Sequence, residues 1–248
     1  YEPEKLSLPP VRKNDLADLP PAGRRMAREH SPNHKELVEA GLWRPLIHAY
    51  LASVSFMDEQ LGRVLDALEQ SPYADNTIVV LWSDHGYHHG QKEHWTKFTL
   101  WEMATRSPLI IHVPGMKHAG VQIDTPVSLL DIYPTLVDLA GLPKPASKLE
   151  GVSLKKLLEN PSHERIEPAI TTFDPNNHAV RSGPWRYIRY ANGDEELYNI
   201  KDDPHEWENL ARKVEHREVI RKLAQYLPTT NVPSTEDRSS RKRRTEED

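Results

Sequence analysis

Cysteine is absent from the 248-residue sequence, so no disulfide, thiolate metal site or cysteine nucleophile can be built from these residues. Phenylalanine is scarce, at 3 residues, and the 11 glycines are outnumbered by 21 prolines, which favours stiff connections. No apolar run approaches the ~20 residues that a membrane-spanning helix needs, so no span is expected. Neither sign of charge dominates. The 32 Lys and Arg against 37 Asp and Glu leave a net charge of -5, which gives no general pull toward nucleic acid or an anionic membrane. The opening Tyr1-Glu2-Pro3-Glu4 lacks an initiator Met and every feature of a signal peptide, as expected of an internal or processed piece. Histidine, by contrast, is plentiful at 13, and a composition 37% hydrophobic and 28% charged suits a globular protein. The length fits one large domain or one and a half.

The richest stretch is 77–98. Thr77-Ile78-Val79-Val80-Leu81-Trp82-Ser83 is an apolar, β-branched run, which reads as a strand buried on both faces of a mostly parallel sheet. Asp84-His85-Gly86-Tyr87-His88-His89-Gly90 follows, and Lys97 lies thirteen residues beyond Asp84. Glycines let a tight loop leave the carboxyl end of the strand, which is where ligands sit in open α/β sheets. An acid, an imidazole and a cation gathered there suggest a metal and anion site.

The rest of the chain supplies a scaffold. Residues 1–33 are proline-rich and read as an extended segment lying over a surface. Residues 45–70 have the 3–4 spacing of an amphipathic helix through Leu46, Tyr50, Met57, Leu61, Val64 and Leu68. Lys97 to Thr105 reads as a short helix, Leu109–Val113 as a second buried strand, and Val121–Ile123 as a short edge strand. Ser128 with Asp131 three residues on is a capping-box pattern, opening a helix that Gly141 closes; Leu154–Leu158 is a further helical turn. From about 165 the texture changes to short alternating segments, Ala169–Phe173, His178–Arg181, Trp185–Tyr190 and Glu196–Ile200, the last three joined through Ser182-Gly183-Pro184 and Ala191-Asn192-Gly193-Asp194. Asn-Gly is a hairpin signal, so a small antiparallel sheet is expected, then a helix over 213–227. The division expected is 1–160, 161–228 and a disordered tail over 229–248 with the basic run Arg241–Arg244.

The residues alone leave the chemistry open. Asp84 is a hard oxygen donor suited to calcium or magnesium, whereas the His85 imidazole prefers softer ions such as zinc; the plainer reading is a loop carboxylate capping backbone amides. Lys97 is either a solvated cation or the positive partner of a sulfuryl or phosphoryl group. One of His88, His89 and His94 could donate a proton to a leaving group, with at least two of them expected at the loop surface. Asp131, Asp138 and Tyr133 read as a cap and a solvated helix face. His178, Arg181 and Trp185 are ordinary sheet residues unless the small sheet leans over the site, where His178 or Arg181 would read an acidic substrate. No nucleophile elbow, P-loop or Rossmann glycine pattern is present.

The stretch Asn76 to Gly86 followed by Lys92-Glu93-His94-Trp95-Thr96-Lys97 resembles the sulfatase family, and within it the branch containing iduronate-2-sulfatase. Tyr50 to Asp58, Ala104 to Ile111, Leu130 to Leu136 with Leu139 to Pro143, and Asp194 to Leu210 resemble it as well. The resemblance implies an alkaline-phosphatase-like α/β fold: the C-terminal part of a mostly parallel sheet flanked by helices, plus a small antiparallel subdomain. It implies hydrolysis of a sulfate ester with bound calcium, with Asp84 and His85 on the metal side and Lys97 on the sulfate. His85 stands where many sulfatases have Asn, which suits contact with a sulfate oxygen. Tyr87 and Phe98 would line the substrate pocket. A sulfated uronate or other acidic saccharide is the substrate the branch implies, and the periplasm or cell exterior the location.

One departure matters. The family's nucleophile is a formylglycine made from the Cys or Ser of a Cys/Ser-x-Pro-x-Arg motif; no Cys form occurs here, and the Ser form occurs once, as Ser182-Gly183-Pro184-Trp185-Arg186, across the turn expected between two strands of the small sheet. The chain is therefore expected to be the C-terminal half of a sulfatase, partnered by the N-terminal half of the same protein and inactive alone. Two rival readings stand beside this one. The first is a phosphoester or phosphonate hydrolase of the same superfamily, and the second is a non-catalytic binding or structural subunit.

Overall fold

The structure is a computed structural model that describes residues 1–232. The tail expected over 229–248, with Arg241–Arg244, lies from residue 233 onward outside the described residues.

The proline-rich beginning is not simply extended. Pro21–Arg28 forms helix α1, with Pro at its first turn, where a missing N–H costs nothing. Its Ala22, Gly23, Met26 and Ala27 are buried, and so are Leu16 and Leu19 just before it. A short helix α2 spans His34–Glu39. The long helix α3 spans Trp43–Glu69, as its apolar spacing predicts. Its stripe is nevertheless uncovered. Only Ile47 is buried, while Leu46, Tyr50, Met57 and Val64 are exposed. The periodicity reports a face meant for packing, and the described residues do not cover it.

Strand β1 is Val79–Trp82. The next strands are β2, His88–His89, and β3, Trp95–Thr96; then come helix α4, Glu102–Thr105, and strand β4, Leu109–His112. β1 and β4 pair antiparallel, from Val79 opposite His112 to Trp82 opposite Leu109. This corrects the expected pairing: every strand pair among the described residues is antiparallel. A parallel partner requires a crossover of a dozen or more residues, usually helical. Between β1 and β4 there is instead a folded excursion whose one α-helix has four residues, and the chain returns running the opposite way. The two strands are only half-buried, with Trp82 and Ile110 exposed, rather than covered on both faces.

Past β4, residues 121–123 carry no strand. The capping box at Ser128 and Asp131 is present and opens helix α5, Ile132–Leu139. Asp131 also accepts from Val152 N at 2.7 Å and pairs with Arg165 at 2.8 Å, so it ties three segments together. Helix α6 is Lys155–Glu159. The small sheet forms as its alternation predicts, in the order β5 (Ala169–Thr172), β6 (His178–Ser182), β7 (Trp185–Arg189) and β8 (Glu195–Asn199). Helix α7, Arg217–Ala224, follows.

Period-two alternation gives this sheet two apolar faces. Val180, Tyr187 and Leu197 pack against Leu223 and its neighbours on α7. Ala179, Ile188, Tyr190 and Tyr198 face the other way, against Leu16, Leu19, Met26, Leu100 and Trp101. The principal core therefore joins residues of the first thirty to the small sheet. The described residues have a mixed α/β architecture with small antiparallel sheets.

Candidate active site

The loop that leaves β1 is anchored at once. Ser83 N donates to Pro108 O at 3.2 Å, prolonging the β1–β4 ladder, and Ser83 Oγ donates to His85 O at 2.9 Å. Gly86 N donates to Ala104 O at 2.8 Å. A Cβ at Gly86 would lie 2.1 Å from Met103 O, so only glycine lets the loop dock this closely on α4. The β2–β3 ribbon then turns the chain back, with His88 opposite Thr96 and His89 opposite Trp95. One step further along the same register puts Lys97 level with Tyr87, which is how a residue twelve positions on returns to His85.

The three residues meet. Asp84 Oδ1 is 3.4 Å from His85 Nε2, and Lys97 Nζ is 2.6 Å from the same nitrogen. His85 Nδ1 lies 2.7 Å from Gly86 O. A carbonyl only accepts, so Nδ1 carries the hydrogen; Nε2 is then the acceptor for the Lys97 ammonium. The Asp84 side chain is 71% exposed and makes no other polar contact among the described residues. The result is an ammonium oriented by one imidazole at an open rim, with an exposed carboxylate beside it.

A divalent ion is implied by the resemblance, and the donor chemistry fits it in part. Asp84 suits a hard cation as one oxygen ligand, but calcium takes 6–8, and among the described residues no group of three or more His, Cys, Asp or Glu converges. Both His85 nitrogens are engaged, which leaves no lone pair for an ion in this arrangement. The imidazole is taken up by the ammonium of Lys97 and the carbonyl of Gly86 instead.

The other expected site residues scatter. Phe98 is beside the site, with Lys97 Nζ 5.8 Å from its ring centre; its ring also meets His30 at 5.3 Å and Phe173 at 6.0 Å. Tyr87 packs instead toward α3, 5.8 Å from the Tyr50 ring and 5.0 Å from His89, and burial raises its phenol pKa. His178 is buried in the sheet with Nδ1 2.9 Å from Thr172 Oγ1, and burial lowers its pKa. Arg181 points to the inner face of the small sheet, where it pairs with Glu102 at 3.3 Å. Alternation puts the two on opposite faces of β6, His178 beside Thr172 and Arg181 beside Glu102. His88 and His94 are fully buried rather than at the loop surface. His88 bonds Gln91 O and Thr99 Oγ1, and burial, reinforced by His94, holds it well below its usual pKa. His94 Nδ1 donates to Ala27 O at 2.9 Å.

Beneath the site lies a charged cluster that the sequence did not single out. Lys92, 2% exposed at the tip of the β2–β3 ribbon, pairs with Asp15 at 3.2 Å and donates to Glu206 O. Glu206 accepts from Glu102 N at 2.8 Å and faces Arg186 at 3.1 Å, and Arg186 also binds Glu102. Burial pushes Glu206 up to about 7 against the opposing pull of Arg186 and Lys92. Burial would raise Glu102 too, but Arg186 and Arg181 outweigh it and hold that carboxyl below its usual value. These pairs hold the ribbon, and with it Lys97, against the sheet. Sequence spacing could not reveal them, because Lys92 stands 77 residues from Asp15 and 114 from Glu206.

Comparison with known proteins bears on this geometry. The family described as Sulfatase matches residues 12–142, and the one described as N-sulphoglucosamine sulphohydrolase, C-terminal, matches 90–232. A protein named Sulfatase from Formosa agariphila is 44% identical over 94% of this chain and 46% of its own length. The solved structure of BT4656 in complex with its substrate D-glucosamine-2-N,6-O-disulfate is similar at a TM-score of 0.67 and 31% identity, over 74% of this chain and 40% of that one. The phosphonate monoester hydrolase of Agrobacterium radiobacter is similar at a TM-score of 0.66 and 27% identity, over 74% of this chain and 40% of that one. The chain thus spans less than half the length of these relatives.

Proposed function

The chain belongs to the sulfatase family, and on that premise we propose that it is the Lys97-bearing part of a sulfuric ester hydrolase that depends on calcium and on a formylglycine nucleophile. The observation that carries this reading is the convergence of Asp84, His85 and Lys97 at one exposed rim. His85 beside Asp84 supports the iduronate-2-sulfatase branch, and with it a sulfated uronate or another acidic saccharide as substrate and the periplasm or cell exterior as location.

Lys97 is the anion reader. Its ammonium gives one N–H to His85 Nε2 and keeps two for sulfuryl oxygens, where developing negative charge is stabilised. His85 fixes that orientation through its bond to Gly86 O. Asp84 would hold calcium as one oxygen ligand, and a bound calcium supplies positive charge to the sulfuryl group. The nucleophile lies outside these residues, since the sequence has no cysteine and its one Ser-x-Pro-x-Arg match, Ser182 to Arg186, forms the β6–β7 hairpin with Arg186 bound to Glu102 and Leu100 O; the length of the relatives that this chain does not match is its partner in catalysis.

The likeness to a phosphonate monoester hydrolase favours one rival, and an assay separates the two. The isolated chain with calcium is expected to release no nitrophenol from 4-nitrophenyl sulfate. Joined to the segment bearing Cys/Ser-x-Pro-x-Arg, it is expected to hydrolyse the sulfate better than phenyl phosphonate esters, and Lys97→Ala to lower kcat/KM by about 10²–10³. Faster turnover of the phosphonate would give the rival reading, and full activity in Lys97→Ala would end this one.

A further inference from the structure

Three aromatic rings from distant segments meet beside Lys97, which lies at the edge of one of them. Phe98 follows it directly and stays 41% exposed, although an isolated apolar ring would gain by burial. His30 lies 5.3 Å from the Phe98 ring and 6.3 Å from that of Phe173, which in turn lies 6.0 Å from Phe98. Separate anchors bring them together. Thr96 Oγ1 donates to His30 O at 3.0 Å, which fastens the end of α1 to the ribbon that carries Lys97. Phe173 N donates to Asn177 O at 3.1 Å, which closes the β5–β6 turn and sets the ring at its edge. Tilted and edge-on ring pairs at such distances are favourable arrangements, so the three form one surface rather than three loose side chains. Lys97 Nζ stands 5.8 Å from the Phe98 ring centre, at the border of that surface.

We propose that His30, Phe98 and Phe173 form the leaving-group subsite, a wall against which the ring of the esterified alcohol, a pyranose face or an aryl ring, stacks while Lys97 holds the sulfuryl oxygens. The inference rests on the reading of Lys97 as the sulfate-side cation. A sulfate ester presents both chemistries at once, a compact anion and, one bond away, a ring with an apolar face. The site presents the matching pair within one ring's reach, with the ammonium on one side and the aromatic surface on the other.

The test is calorimetric titration of the full chain, in calcium, with sodium sulfate, 4-nitrophenyl sulfate and glucosamine 6-sulfate. The two esters are expected to bind more tightly than inorganic sulfate. Phe98→Leu and Phe173→Leu, which keep apolar volume, are each expected to weaken ester binding by about three- to ten-fold and to leave inorganic sulfate unchanged. Lys97→Ala is expected to abolish binding of all three. Equal affinity of the wild-type chain for sulfate and its esters, or an ester preference that survives both leucine variants, overturns the wall while leaving the role of Lys97 standing. Inorganic sulfate that binds Lys97→Ala as it binds wild type overturns the reading of the site itself. Circular dichroism of each variant identifies any loss due to unfolding; in that event Phe98→Tyr and Phe173→Tyr, which retain the ring, must restore the ester preference.

Discussion

Glu206 is a carboxylic acid enclosed by protein, held by Glu102 N and faced by the guanidinium of Arg186. Burial raises its pKa from 4.5 to about 7. A carboxyl group that ionises less readily when folded stabilises the fold fully below its unfolded pKa, and that contribution is lost as pH climbs through the folded one. For Glu206 the window runs from 4.5 to about 7, and the loss amounts to roughly 3 kcal/mol. Asp15 and Glu196 are raised by burial and act in the same direction, whereas Glu102 is lowered and acts in the other. Glu206→Gln is therefore expected to flatten the pH dependence of the urea midpoint between pH 4.5 and 7; an unchanged slope would contradict the assignment. At this scale the sequence was legible where chemistry is local. Asp84, His85 and Lys97 sit within one strand–loop stretch and do meet. The partners of His178 and Arg181, Thr172 and Glu102, were not legible, because alternation in a strand tells that a residue has a face but not what that face meets.

At the scale of elements, the loop after β1 depends on α4 more than on its own turn chemistry. The backbone oxygens of Met103 and Arg106 lie 2.1 and 2.8 Å from where a Cβ on Gly86 would sit, and backbone cannot swing aside as a side chain can. Gly86→Ala is expected to cost roughly 1–3 kcal/mol, read as a lower denaturation midpoint, and to weaken sulfate binding because His85 is displaced. Retention of both would mean that the loop is held otherwise. Elements with strong periodicity were legible: α3, the capping box before α5 and the four strands of the small sheet. Helix α1 was hidden by the prolines around it, although Pro21 occupies the one helical position that tolerates proline well. The direction of β4 was hidden too, since an apolar run does not record which way its partner strand runs.

Across the whole molecule, the first thirty residues and the small sheet form one core, so they should unfold together. Leu19 is 1% exposed within that core; Leu19→Ala is expected to cost roughly 2–5 kcal/mol. Far-UV circular dichroism and tryptophan fluorescence, which reports on Trp101 against the sheet, should follow a single shifted transition. Two transitions, with the sheet unaffected, would support a boundary near residue 160. Composition could suggest that boundary because texture changes there; it could not show the chain doubling back on itself, which depends on contacts between residues more than 150 positions apart. The bare stripe along α3, with Tyr50, Met57 and Val64 open to water, has a practical corollary. Hydrophobic reporter dyes such as anilinonaphthalene sulfonate will light up on the native protein and mimic a half-melted one, so dye-based thermal-shift screening would mis-rank ligands and variants that optical spectroscopy or calorimetry would order correctly.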